Sequence, residues 1–398
     1  FCSGMEDRKS LRAAPSNASA KVSNARIFTM MIRAFVGPGC LALPHSWRSG
    51  LAVAPSLTVL VGFLVYQTMV MLVQCRDKIS PVNEVDYEEV GGAALGQLGR
   101  RLVQTATLAF QFGVCVVQIT FVATNFAAAF DMPVRDSILV VLPMFVVVAS
   151  IQSIKVLSTL ALPGNGLLSV GLLVVLCSVP PSHAAFEDAV ERGWTGTTAS
   201  AVSAVGNLVY ASEGIAVVLP MRNSAEAPGD FVNVLRVTLS CVTAMFTAFG
   251  GLCFVGLHGI VSSASASAAL AGHVSKGQLL LANFLLSGAV LVGFPLQALP
   301  VARLYKGELL QQWHVQVLVV FVAALFAVAV PEVDILVDIV GNSAGVVLGF
   351  VLPISFHYIL CAPSRRRVLV LHVPVAVIAT CAGSWGTWAA LDRARNLT

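Results

Sequence analysis

Two apolar runs of this chain are each interrupted near their middle by residues that disfavour a regular helix. The run Asn24–Trp47 contains Gly37-Pro38-Gly39, and the run Ala199–Met221 contains Glu213-Gly214. Proline lacks a backbone donor and glycine is conformationally loose, so a continuous helix is costly at both places. A helix that ends inside a membrane presents unpaired amide groups at its start and unpaired carbonyl oxygens at its end. Two such breaks predict a site for an α-amino acid, which carries a carboxylate and an ammonium on one carbon.

The predicted substrate-binding residues at the two breaks are short stretches that include the interrupting residues. They are Gly37, Pro38, Gly39, Cys40, Tyr210, Ala211, Ser212, Glu213 and Gly214. The alternative reading for Gly37 and Gly39 is close packing of helices, which small residues permit. Packing alone does not require Pro38 between them, and this favours the binding-site reading.

Two charged residues in these runs are candidates for proton coupling or gating. An acid at the centre of a span costs about 2.5–3.5 kcal/mol, so a compensating role is expected for Glu213. That carboxylate could bind the substrate ammonium or carry a coupling proton, or it could cap the second half of the broken helix. Arg33 lies about one turn before Gly37. It could pair with an acid in an inner gate, or its long side chain could extend to the cytoplasm.

Isolated polar residues occur in other apolar runs. Gln111, Cys115 and Gln118 share one helical face and could wall a pocket. Gln297 is a further pocket candidate, although single amides in helix bundles more commonly link helices. Asp338 lies near the outer end of its run and is expected to be solvated.

The composition is that of an integral membrane protein. Hydrophobic residues make up 57% of the 398 residues and charged residues 11%, with a mean hydropathy of +0.84. A soluble domain carries about 25% charged residues, which argues against soluble enzymes. No nucleophile–base pair or metal-ligand spacing is present, so neither an enzyme nor a cofactor is predicted.

Eleven spans are predicted: Asn24–Trp47, Leu51–Cys75, Leu102–Phe130, Ser137–Ile154, Thr159–Val179, Ala199–Met221, Phe231–Leu257, Gly277–Ala302, His314–Val330, Ile335–Cys361 and Val368–Ala390.

The distribution of Lys and Arg predicts the orientation of the chain. With the N-terminus in the cytoplasm, 17 of the 24 basic residues lie inside, six lie outside and Arg33 lies within the membrane. The net charge of +4 therefore reflects orientation, and no nucleic-acid partner is expected. Residues 1–23 are predicted to be a disordered cytoplasmic tail that precedes a transporter domain at 24–398. Because the sequence begins with Phe1, we expect its N-terminus to be incomplete or processed.

Five segments of the chain together match the pattern of a known family. They are Arg33-Ala-Phe-Val-Gly37-Pro-Gly39-Cys-Leu41-Ala-Leu43-Pro44, Leu95-Gly96-Gln-Leu-Gly99-Arg100-Arg101, Gln111-Phe-Gly113-Val-Cys115, Tyr210-Ala-Ser-Glu213-Gly214-Ile-Ala-Val-Val-Leu219-Pro220 and Pro295-Leu296-Gln297. With these segments the chain resembles the amino acid/auxin permease family, and in particular its proton-coupled amino acid transporter branch. The likeness covers nearly the whole chain from about Arg26, and its most specific part is the E-G-I-x-x-V-L-P core of the sixth run.

The resemblance implies the fold of the bacterial leucine transporter. In that all-α fold, helices 1–5 and helices 6–10 form inverted repeats, which would correspond here to residues of about 24–180 and 198–361. An eleventh helix would follow at about 368–390, and helices 1 and 6 would be discontinuous. Three positions depart from the pattern of the family. Pro38 replaces a small or hydroxyl residue, Gln118 an aromatic residue and Ser212 the Phe of the proton-coupled branch, so the substrate is left open.

The sequence thus predicts a secondary active transporter that moves amino acids across a lipid bilayer by alternating access. Coupling to protons is expected, with sodium as the alternative ion. The host is predicted to be a plasma membrane or a vacuolar or lysosomal-type membrane, and a monomer is assumed. There are two alternatives. One is a carrier of polyamines or amino acid derivatives, and the other is a transceptor that senses amino acids with little flux. No span has the repeated polar stripe or charged ring of a channel.

Overall fold

The structure is a computed structural model that describes residues 21–80, 84–191, 193–212, 214–259, 274–305, 311–329 and 333–395. Glu213 and residues 1–20 of the predicted tail lie outside the described residues. Those that are described form helices, together with one isolated bridge between Val22 and Ala225. The helices are α1 Asn24–Phe35, α2 Leu43–Ser46, α3 Val53–Ile79, α4 Tyr87–Phe130, α5 Val134–Ala149, α6 Ile154–Ser178, α7 His183–Glu191, α8 Thr198–Ala211, α9 Ile215–Ser224, α10 Phe231–Gly256, α11 Lys276–Leu304, α12 Gln312–Ala329, α13 Val333–Val340, α14 Leu352–Cys361 and α15 Arg365–Arg395.

Most of the predicted spans correspond to helices that could cross a membrane. Within the described part of the chain, nine helices are long and apolar enough, or ten if the bent pair Asn24–Phe35 and Gly39–Ser49 is one span. The fourth predicted span corresponds to α5, whose 16 residues fall short of the about 20 that a perpendicular span needs. The all-α membrane class is therefore confirmed, while the count of eleven spans stays a prediction.

Both predicted interruptions are present as helix ends. Helix α1 ends at Phe35, and the chain bends by 51° before a short 3-10 helix, Pro38–Ala42, leads into α2. Helix α8 ends at Ala211, and α9 begins at Ile215. A regular hydrogen-bond ladder therefore does not run through either apolar run.

The broken helices lie near the centre of the bundle. Helix α11 packs mainly against α6 and α4 and also contacts α1. The α8–α9 and α4 segments are the most buried of the candidate spans, whereas α15 is the least buried. The core around the breaks is thus enclosed by helices, and the outer helices present apolar side chains to lipid.

The two broken spans are tied together at both ends by backbone hydrogen bonds. Before α1, the Val22 amide donates to the Ser224 carbonyl (2.8 Å), and the Glu226 amide donates to the Val22 carbonyl (2.9 Å). We call this pairing the N-terminal clamp, and the end of the bundle where it lies the N-terminal face. At the other end, the opposite clamp is formed by Ser49 and Ala52 with Trp194 and Gly196. The Gly196 amide donates to the Ser49 carbonyl (2.7 Å), and the Ala52 amide donates to the Trp194 carbonyl (3.0 Å).

The expectation that Asp338 is solvated is wrong. Its side chain is buried, accepts a hydrogen bond from Ser203 Oγ (3.2 Å) and forms an ion pair with Arg393. The reason is tertiary: the end of α15 returns to α13 and α8 and brings a guanidinium against the carboxylate. Charge and hydrogen bonding thus compensate for the loss of water.

Asn342 fills the space between three helices because its neighbours are glycines. It lies in a π-helical segment, Gly341–Gly345, that follows α13. A Cβ atom at Gly206 of α8 or at Gly386 of α15 would collide with the Asn342 amide. The side chain is buried, so it has little room to move away.

We predict that Gly386→Ala destabilises the folded protein by about 1–3 kcal/mol, the usual cost of overpacking a core. The double variant Gly386→Ala/Asn342→Ala should show a smaller effect of the glycine change, because the colliding amide is gone. Thermal unfolding in detergent measures both. Equal losses in the two backgrounds would contradict the packing described here.

Candidate functional site

The two helix breaks are in direct contact. A Cβ atom at Gly39 would lie 2.8 Å from Tyr210 Cδ1 and 2.9 Å from the backbone of Ala211, so the first break rests on the end of α8. The Phe35 ring, at the end of α1, fills the space beside Gly214, where a Cβ atom would overlap it. Sequence positions about 175 residues apart thus meet at one level of the bundle.

The glycines of the first break have different surroundings. At Gly39, close packing against α8 leaves no room for a side chain. At Gly37, a Cβ atom would have no heavy atom within 4 Å, although the flanking residues Val36 and Cys40 are buried. The packing alternative therefore describes Gly39, whereas the main chain at Gly37 borders open space inside the bundle.

The carbonyl end of α1 is satisfied by side chains. Arg33 Nη1 donates to the Val36 carbonyl (3.2 Å), and Arg33 Nη2 donates to the Ala289 carbonyl of α11. Gln297 Nε2, also on α11, donates to the Ala34 carbonyl (3.2 Å). These donors serve carbonyl groups at the end of α1, where helical partners run out.

This geometry corrects one of the two expectations for Arg33. The residue is 3% exposed, so its guanidinium does not extend to the cytoplasm. No ion pair with an acid is formed within the described residues, and the gating role of Arg33 stays a prediction. Gly293 of α11 leaves the space that the guanidinium occupies. Arg33 thus binds the break to α11. Gln297 likewise links two helices, which is the commoner role of single amides in helix bundles.

Helix α4 brings three polar residues into the core near the end of α8. Gln111, Cys115 and Gln118 are all buried, and their spacing along the helix places them on one face. The neighbouring Phe110 ring lies 6.2 Å from the Tyr210 ring, which brings this part of α4 to the level of the breaks. The Oε1 atoms of both glutamines and the Tyr210 hydroxyl are buried without a hydrogen-bond partner in the described chain.

The remaining predicted site residues lie at the breaks themselves. The Cys40 amide donates to the Gly37 carbonyl (3.2 Å), and the Ser212 amide donates to the Leu208 carbonyl (3.0 Å). Pro38 begins the 3-10 helix, as expected of a residue that lacks a donor. Glu213 lies outside the described residues, and its role stays a prediction.

Sequence reasoning missed three residues of this region. Phe35, Ala289 and Gly293 are apolar and stand in apolar runs, so nothing in their type distinguishes them. Only the position of Phe35, directly before the first break, was a usable signal. Ala289 acts through its backbone carbonyl oxygen, which accepts from Arg33, and Gly293 acts because its lack of a side chain leaves room for the Arg33 guanidinium. Neither role can be recognised until α11 is placed beside α1.

Comparison with known proteins decides the family. The model of the family described as transmembrane amino acid transporter protein matches residues 20–391 of the chain. The chain belongs to this family. The chain is therefore counted among transporters rather than enzymes.

Relatives within this amino acid transporter family are distant but cover much of the chain. Amino acid transporter AVT3B of Arabidopsis thaliana is 25% identical over 93% of both chains. Vacuolar amino acid transporter 4 of Saccharomyces cerevisiae is 23% identical over 63% of this chain and 37% of its own length. Proton-coupled amino acid transporter-like protein pathetic of Drosophila melanogaster is 23% identical over 56% of this chain and 52% of its own.

We predict different consequences for alanine at the two glycines of the first break. Gly39→Ala should lower stability by about 1–3 kcal/mol, because the new methyl group meets the backbone of Ala211. Gly37→Ala should leave the thermal unfolding temperature unchanged, because its methyl group enters open space. The same variant should reduce amino acid uptake, since that space borders the predicted substrate. A strongly destabilised Gly37→Ala would show that the position is packed.

Proposed function

We propose that this protein is a secondary active transporter that moves amino acids across a membrane by alternating access. The observation that carries the proposal is the direct contact between two helix breaks at the centre of an amino acid transporter family member. Helix ends at that level would offer amide groups to a carboxylate and carbonyl groups to an ammonium. The end of α8 would supply those carbonyl groups, since Ala34 and Val36 at the end of α1 already accept from Gln297 and Arg33. Phe35 and Tyr210, which flank the breaks, would enclose the side chain of the substrate.

The buried polar atoms of α4 and α8 would complete the substrate site. The Oε1 atoms of Gln111 and Gln118 are acceptors, and the Tyr210 hydroxyl can donate or accept. Buried polar atoms without partners are costly, and a bound zwitterion would supply the partners. Together with the main chain at Gly37, these atoms form the proposed binding surface for the amino acid backbone.

Protons are the proposed coupling ion, and Glu213 is the proposed carrier. The proposal is supported by the cost of a carboxylate in the middle of the sixth span and by a relative that is named a proton-coupled amino acid transporter-like protein. Sodium is the second candidate. Since the carbonyl groups of Ala34 and Val36 already accept from Gln297 and Arg33, fewer free oxygens are left at the first break for a metal cation.

The two clamps are the proposed gates. The N-terminal clamp is reinforced by charged residues: Arg76 and Arg222 both contact Asp77, at 2.9 Å and 3.4 Å, and Lys21 Nζ donates to the Asn223 carbonyl. Both clamps are formed in this structure. Alternating access would open one clamp at a time.

The clamps also support the proposed inverted repeat. The N-terminal clamp joins the start of the first span to the end of the sixth, and the opposite clamp joins the end of the first span to the start of the sixth. An exchange of the two spans by a two-fold axis in the membrane plane would convert one clamp into the other. A leucine-transporter-like architecture of five plus five helices with one added helix is consistent with this relation.

A vacuolar or lysosomal-type membrane is the proposed location, with the N-terminus in the cytoplasm. A relative that is named a vacuolar amino acid transporter supports this choice over a plasma membrane. The N-terminal face would then be cytoplasmic, in agreement with its basic residues.

We predict that Glu213→Gln abolishes uptake driven by a pH gradient in proteoliposomes. The amide cannot release or take up the coupling proton, whereas exchange of amino acids without a gradient should survive. Uptake is measured across amino acids, with putrescine as a competitor and with or without sodium. Proton-driven uptake equal to that of the unchanged protein would remove Glu213 from the mechanism. Binding without any exchange would favour a transceptor, and competition by putrescine would favour a polyamine carrier.

We predict that a disulfide across the N-terminal clamp arrests transport reversibly. Val22 and Ala225 pair in the isolated bridge, so Val22→Cys/Ala225→Cys should cross-link under mild oxidation when the nine native cysteines are replaced. Uptake should fall with the cross-linked fraction and return on reduction. Val22→Cys alone is the matched control. Full uptake by quantitatively cross-linked protein would show that this clamp is not a gate.

A further inference from the structure

Two buried histidines join three spans at the N-terminal face. His357 of α14 and His372 of α15 are each 2% exposed, with ring centroids 5.1 Å apart. His357 Nδ1 lies 3.0 Å from His372 Nε2. The other ring nitrogens also have partners: His357 Nε2 lies 3.0 Å from Gln74 Oε1 of α3, and His372 Nδ1 lies 3.2 Å from the Arg367 carbonyl oxygen. All four ring nitrogens are therefore hydrogen-bonded.

With the Oε1 atom of Gln74 toward His357, the hydrogen-bond partners set the number of protons on the pair. A carbonyl oxygen only accepts, so His372 Nδ1 must carry a hydrogen to bond Arg367. His357 Nε2 must likewise carry one to bond Gln74 Oε1. The hydrogen bond between His357 Nδ1 and His372 Nε2 needs a third hydrogen. Two neutral imidazoles carry only two N–H groups, so this arrangement requires one of the rings to be an imidazolium.

A neutral pair requires the Gln74 side-chain amide to rotate, so that its oxygen and nitrogen exchange positions. Its NH₂ group would then donate to His357 Nε2, His357 Nδ1–H to His372 Nε2, and His372 Nδ1–H to the Arg367 carbonyl. Every ring nitrogen keeps a partner, with two hydrogens instead of three. A single rotation of the Gln74 amide is thus enough to keep all ring nitrogens hydrogen-bonded when the pair takes up one proton, and the backbone need not move.

Other charged or titratable groups lie near the pair on each of the three helices. The guanidinium of Arg367 acts electrostatically on His357 from α15, and its like charge opposes a proton on the pair. Cys75 follows Gln74 on α3, and its sulfur atom lies 4.0 Å from that of Cys361 on α14. Neither imidazole forms an ion pair with a carboxylate in the part of the chain that the structure describes. A proton on the pair is therefore held by neutral acceptors, and it can leave through the partly exposed edge at Arg367.

We propose that Gln74, His357 and His372 form a proton-binding site, separate from the helix breaks, that holds one proton and releases it when the Gln74 amide turns over. The protonated state places a positive charge where α3, α14 and α15 meet, and release removes it. The charge is present at low pH and is lost as pH rises through the titration midpoint of the pair. The site does not depend on the proposed transport function, because it rests on hydrogen-bond stoichiometry alone.

The stoichiometry is tested by ¹⁵N NMR of the full chain, labelled at histidine and held in lipid nanodiscs. The ¹⁵N shifts separate imidazolium from neutral imidazole, and His357→Gln and His372→Gln assign the signals. We expect one imidazolium per pair at low pH and a single one-proton transition as the pH is raised over the range in which the protein stays folded. A pair that stays neutral throughout this range would overturn the proposal without any substitution at Gln74.

Two substitutions at Gln74 should move the midpoint in opposite directions. Gln74→Leu removes the acceptor that the cationic form needs, so the midpoint should fall by about one pH unit. Gln74→Glu supplies a charged acceptor, so the midpoint should rise by about one unit or more. His183→Gln, at an exposed histidine, is the control and should leave the signals of the pair unchanged. An unmoved midpoint in both Gln74 variants would exclude Gln74 from the site.

Discussion

Main-chain groups that leave a helix inside a bilayer must find partners within the protein, and this requirement organises the molecule. At the end of α1 the partners are long side chains: Arg33 serves the Val36 carbonyl, and Gln297 serves the Ala34 carbonyl. Both also bind α1 to α11, directly or through the Ala289 carbonyl. The break is thus a supported structural element with a fixed geometry. A substrate would meet helix ends that are already oriented, which lowers the cost of binding.

The same requirement is met differently at the two membrane faces. The clamps use backbone groups from four segments, and neither clamp depends on a particular side chain to donate or accept. Hydrogen bonds of this kind break and re-form without a change of covalent structure, and each contributes modestly to stability, about 0.5–1.5 kcal/mol net. A pair of such bonds is suited to a gate. By contrast, the breaks at the centre are buried, packed ring against glycine, and are expected to move as rigid parts.

The sequence was sufficient to predict the breaks, because glycine and proline in the middle of an apolar run act locally. Spacing also places Gln111 and Gln118 on one side of α4, where both are buried, and their role in a pocket stays a prediction. The sequence failed wherever a partner is distant along the chain. Asp338 looked solvated because Arg393 is 55 residues away. Arg33 could be taken for a residue that reaches the surface, because its acceptors are carbonyl oxygens that the sequence does not identify. The histidine pair was missed for the same reason, since His357, His372 and Gln74 come from three separate runs.

The most direct measurement is an experimental structure of the protein with a transported amino acid bound. The α-carboxylate and α-ammonium should lie between the first break, at Val36 to Cys40, and the second, at Ala211 to Gly214, with the substrate side chain near Tyr210. An amino acid bound elsewhere in the bundle, or two regular helices passing through both breaks, would contradict this account.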